Sequence, residues 1–115
     1  MNILPNADKA VIPIEKFRDY ALNLTHESGV HKAIVFDKVL GYNTKNVQTL
    51  ISKIREGIAN FPATYKGFTI YGDKYEVTMP IEGVNGRVAP VVTGWLIGGD
   101  SGIPRLTSAY IPRKG

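Results

Sequence analysis

The spacing of apolar residues along this chain changes once, near residue 62. From Pro13 to Asn60 they recur every three or four positions, and from Ala63 to Ile111 they alternate or run together between glycine-rich turns. The first spacing is that of amphipathic helices and the second that of strands. Pro13 suits the first position of a helix over IEKFRDYALN, with Ile14, Phe17, Ala21 and Leu22 on one face and Glu15, Lys16 and Asp19 on the other. Ser28 can cap a second helix from about Val30 to Leu40, with Ile34, Val35 and Val39 as its buried stripe and Gly41 as its stop. Asn43 can cap a third, in which Val47, Leu50, Ile51, Ile54 and Ile58 fall on one face.

Beyond Pro62, ATYKGFTIY, KYEVTMPIEG, RVAPVVTGWLIG and PRLTSAYIP predict four strands. The Gly-Asp of YGDK, the Asn-Gly of VNGR and the longer GGDSGI are short connections, so consecutive strands pair as an antiparallel meander. Tyr75, Val77, Met79 and Ile81 alternate cleanly, which predicts one sheet face covered by the helices. The expected fold is α+β: three N-terminal helices packed on one face of a four-stranded antiparallel β-meander, one domain over residues 1–115.

Composition narrows the chemistry more than the fold. With no cysteine and two histidines, disulfides, thiolate catalysis and Cys-ligated metal are excluded and no metal or other cofactor is expected. Fourteen Lys and Arg against ten Asp and Glu give +4, a bias toward a polyanionic partner. No apolar run approaches the roughly 20 residues of a membrane span, so a soluble protein without a membrane partner is expected. The P-loop, Rossmann, HExxH, GxSxG and EF-hand signatures are all absent.

Both histidines lie in LTHESGVHKAIVF. His26, in the loop before the second helix, has an unperturbed pKa near neutrality that suits a general base or acid, or it is a surface imidazole bonded to backbone. His31 and Lys32 fall in the first helical turn, where free N–H groups favour an anion such as phosphate; a solvated basic turn is the plain alternative. On the strands, alternation puts Val91, Thr93 and Trp95 on one face, and Arg105, Thr107 and Ala109 opposite Leu106, Ser108 and Tyr110. Thr93, Trp95, Arg105 and Thr107 are thus expected to share a surface that could hold phosphate and stack a base, although Thr and Trp are also ordinary strand residues.

Taken in order, an H-x-x-G followed by K-A, a G-Y-N, a G-x-x-G-R hairpin, a T-x-W and a closing P-R-L-T-x-x-Y span nearly the whole chain. This set resembles a bacterial domain family found alone and as the C-terminal module of polymorphic or contact-dependent toxins. Such modules are similar to the barnase, EndoU, colicin and RelE group of metal-independent ribonucleases. The resemblance implies an open sheet face that cleaves RNA, tRNA or another structured RNA, by attack of the 2′-hydroxyl on phosphate. It implies catalytic roles for His26, Lys32, Arg105 and Thr107, and substrate contacts from Thr93, Trp95 and Tyr110, to which the helix-start reading adds His31. It further implies a cognate immunity or antitoxin protein and a cytoplasmic site of action, reached by secretion or delivery within a larger toxin. The alternative is a non-catalytic binding module of the same fold: a toxin partner, an immunity-type protein or an RNA binder.

Overall fold

A computed structural model describes residues 2–18, 30–99 and 101–112, with Val30 and His31 described by backbone alone. Four strands form one antiparallel sheet in the order β1-β2-β3-β4: β1 (Ala63–Thr69), β2 (Gly72–Glu82), β3 (Val88–Ile97) and β4 (Pro104–Tyr110). The expected meander is therefore present. Its turns differ in detail. Ile70 and Tyr71 make the first, with Gly72 at φ 131° opening β2. In the second, Gly83 and Gly86 bracket Val84 and Asn85, and Gly86 takes the left-handed conformation (φ 84°) that a three-residue hairpin loop requires.

The three-helix expectation does not hold. Among the described residues, apart from short helical stretches at Ala7–Lys9 and 15–18, the helices are α1 (Val30–Val35), continued by a π-helical turn over Phe36–Leu40, and α2 (Val47–Asn60). Gly41 ends the first in the left-handed conformation: its N–H donates to Asp37 O, and that of Tyr42 donates to Phe36 O. The buried stripe is Ala33, Phe36 and Leu40 rather than Ile34, Val35 and Val39, and Ile34 is exposed. Asn43 makes a local turn, its Oδ1 accepting from Lys45 N–H, so α2 starts three residues later than expected, after Asn46.

The residues ahead of the expected first helix make contacts with the edges of the sheet. After a 3₁₀ turn at Ala7–Lys9, Val11 pairs in parallel with Arg105 on the outer edge of β4. Near the other end of this segment, Asn2 O accepts from Ala63 N–H at the start of β1. The N-terminal residues thus connect the two edge strands, burying Leu4, Ala10, Ile12 and Phe17, and Arg55 of α2 donates to Ala10 O. Only Pro13–Arg18 shows helical hydrogen bonds there; the rest of the expected helix lies outside the described residues.

The core lies between α2 and one face of the sheet. Leu50, Ile54 and Ile58 of α2 meet Val77, Met79 and Ile81 of β2, and Gly57 brings the helix backbone down onto Met79. Pro80 and Pro90 face each other on β2 and β3, beyond the ends of β1 and β4. With no outer strand there to need an N–H, two prolines are tolerated in central strands.

Candidate functional site

The face of the sheet away from α2 is where polar side chains gather, and register determines which ones. Val77 pairs with Thr93, and Tyr75 with Trp95, so Thr93 and Trp95 share the packed face of β2. Both are essentially inaccessible: Trp95 Nε1 donates to Thr93 Oγ1 at 2.8 Å, and Thr93 Oγ1 donates to Val77 O at 2.8 Å. Their hydrogen bonds are satisfied within the core. The expected shared surface of Thr93, Trp95, Arg105 and Thr107 is accordingly corrected: Trp95 faces Leu106, and Leu96 faces Arg105.

On β4 the register shifts between Gly94 and Trp95, which leaves Thr107 as an extra residue in a β-bulge. Strict alternation would separate Arg105 and Thr107 from Ser108 and Tyr110. The bulge instead puts Leu106 and Ala109 in the core and leaves Arg105, Thr107, Ser108 and Tyr110 toward the open face. Arg105 is fixed at its backbone, because Val11 N–H donates to Pro104 O at 2.9 Å and Leu106 N–H donates to Val11 O at 3.0 Å. Its guanidinium is exposed, with no ion pair among the described residues.

Lys32 of α1 reaches the same surface. Its Nζ stands 5.5 Å from the centroid of the Tyr110 ring, within the range of a cation–π contact. Three rows of positions on this side of the sheet therefore cross β2, β3 and β4: Thr78–Val92–Tyr110, in which Val92 is itself buried, Glu76–Gly94–Ser108 and Lys74–Leu96–Arg105. Glu76, Gly94 and Ser108 were missed in the sequence, although two signals were there. Glu76 alternates with the buried Tyr75–Ile81 set, and a glycine inside a strand marks a bulge or a close approach.

Of the remaining sequence candidates, His31 lies in the first turn of α1 and His26 lies outside the described residues. The arrangement offers two cations, Lys32 and Arg105, a carboxylate, two hydroxyls and a phenol on one side of a rigid sheet. Cations and hydroxyls of this kind bind phosphate. Among the described residues no cluster of three or more His, Cys, Asp or Glu could hold a metal ion, and no helix is long and apolar enough to cross a membrane.

Residues 3–113 match the family described as a domain of unknown function, DUF6883. The chain belongs to the DUF6883 family. Among solved structures, this DUF6883 domain is similar to a chain of a contact-dependent growth inhibition toxin–immunity protein complex from Klebsiella pneumoniae 342. The TM-score is 0.69 at 14% identity, covering 90% of this chain and 100% of that one. At that identity the likeness is one of fold. Comparison with curated proteins gives no match.

Proposed function

We propose that this DUF6883 domain is a toxin that cleaves RNA without a metal ion, using the open face of its sheet. One observation carries the reading: Arg105, Thr107, Ser108 and Tyr110 converge on that face with Lys32 beside them, while the opposite face is sealed by α2. The fold it shares with a chain of a toxin–immunity complex supports a toxin-related role and a protein partner.

In the reaction a base takes the 2′-hydroxyl proton as O2′ bonds to phosphorus; the P–O5′ bond then breaks and an acid protonates O5′. Arg105 and Lys32 counter the charge on the phosphorane, and Thr107 orients it. Donors aimed at developing charge contribute several kcal/mol in such sites, and a positioned acid or base roughly 10²- to 10⁴-fold. His26 is the proton-transfer candidate, and Tyr110 a surface on which a base can stack. The substrate is tRNA or another structured RNA, met in the cytoplasm of a target cell.

Expression of the domain in bacteria, with total RNA examined in parallel in vitro in the presence of chelator, tests this. Growth arrest and discrete cleavage products are expected, both lost in Arg105→Ala and His26→Ala. Absence of cleavage and of growth inhibition in the wild type would sink the reading. Because the similar complex also contains an immunity protein, a non-catalytic partner of the same fold is the second reading. Protection of cells from a toxin, with no RNA cleavage, would establish it.

A further inference from the structure

The middle row of the open face is incomplete in a specific way. Glu76, Gly94 and Ser108 stand in register on β2, β3 and β4, and the bulge adds Thr107 beside Ser108. A Cβ built on Gly94 would stand 2.6 Å from Ser108 Oγ and 3.2 Å from Thr107 Oγ1. Both hydroxyls therefore lean over the space that the missing side chain leaves. Neither has a hydrogen-bond partner among the described residues, in contrast to Thr93, whose hydroxyl both donates and accepts in the core.

The gap is chemically asymmetric. On its β4 side stand two hydroxyls that can donate, with Arg105 on the same strand; on its β2 side stands Glu76, which as a carboxylate can only accept. Adjacent strands lie about 4.8 Å apart, so β2 and β4 are separated by roughly 10 Å, bridged at this row by bare glycine backbone. An inorganic anion would use one side and be repelled by the other. A group carrying a phosphate next to a hydroxyl uses both.

We propose that the gap over Gly94 seats one ribose-phosphate unit of RNA. A phosphate oxygen accepts from Thr107 and Ser108 and lies in the field of Arg105, and the ribose 2′-hydroxyl donates to Glu76. The glycine is required because any side chain at position 94 occupies the seat. This inference rests on the RNA-cleaving reading above and names the part of the surface that holds the nucleotide.

Gly94→Ala is the decisive variant. Its backbone conformation is ordinary for alanine, and the Ser108 hydroxyl that the new methyl meets can rotate away, so the fold survives while the seat is filled. Cleavage of tRNA would be measured, with a DNA oligonucleotide as an uncleavable competitor. Gly94→Ala, and separately the Thr107→Val/Ser108→Ala double variant, are expected to lower kcat/KM by about tenfold or more and to weaken inhibition by the DNA, as loss of hydrogen bonds to a charged group implies. Glu76→Ala, which removes the acceptor of the 2′-hydroxyl, should impair RNA cleavage yet leave inhibition by DNA as strong as in wild type or stronger, since DNA has no 2′-hydroxyl and the repelling carboxylate is gone.

Thermal unfolding of each variant checks the fold; if Gly94→Ala is unfolded, the double variant, which alters only hydroxyls without partners among the described residues, decides. Folded variants that cleave like wild type would overturn the seat, and loss of cleavage in Arg105→Ala would then leave the ribonuclease reading standing. A wild type that cleaves no RNA overturns both.

Discussion

Thr93 and Thr107 sit on neighbouring strands, on opposite faces of one sheet, and their surroundings could hardly differ more. Thr93 is wholly buried, donates to Val77 O and accepts from Trp95 Nε1. Thr107 is exposed, lies in a bulge, and has no hydrogen-bond partner among the described residues. A buried hydroxyl without partners would cost free energy, and among the described residues no buried side-chain nitrogen or oxygen lacks one. The open face has water as the alternative partner and can leave hydroxyls, a guanidinium and a carboxylate available to a ligand. One face is built for stability and the other has room for function.

Substitutions that test this contrast rank by their effect on stability. Trp95→Ala removes the largest buried side chain and should cost about 3–5 kcal/mol in denaturant unfolding. A loss well below that would mean that the core face is not packed as described. Next comes Thr93→Val, which keeps the shape but takes the acceptor from Trp95 Nε1; a cost of about 1–3 kcal/mol is expected. A neutral result would show that the buried hydrogen bonds are dispensable.

Tyr42 gives a smaller, pH-dependent effect. Its hydroxyl donates to Glu82 O at 2.7 Å, and burial, helped by the Glu82 charge, pushes its pKa above the usual value of 10.0. The folded state thus holds this proton more tightly than the unfolded chain. Its contribution is complete below the unfolded pKa and is lost as pH rises through the folded one. Tyr42→Phe should cost about 1 kcal/mol at neutral pH, and should flatten the fall in stability with pH above 10 relative to wild type.

Smallest in stability is Arg105→Ala, expected within about 0.5 kcal/mol of wild type, since the Arg105 side chain is exposed and has no ion pair among the described residues. Yet it should abolish growth inhibition. A variant that instead unfolds would erase the distinction between the two faces.

The parts of this architecture legible in the sequence are those set by local periodicity. Leu50, Ile51, Ile54 and Ile58 mark the buried face of α2, the Tyr75–Ile81 alternation marks that of β2, and Gly41 marks a helix end. The course of residues 2–12 was not legible, because the 3₁₀ turn at Ala7–Lys9 and the pairing of Val11 with Arg105 follow no local period and depend on a partner far along the chain. Nor was the site. Alternation correctly paired Thr93 with Trp95, but only pairing with Val77 and Tyr75 shows that their face is the covered one.

What the sequence determined by itself was which segments become strands, where the hairpins fall and where α2 runs, because the pattern of apolar residues within each segment dictates its period. Tertiary structure decided the rest. It laid the N-terminus along β4, moved Thr93 and Trp95 into the core, and brought Glu76, Gly94, Thr107 and Ser108 together on one surface. Those outcomes depend on cross-strand register, and a single extra residue at the Thr107 bulge reverses the facing of every position beyond it.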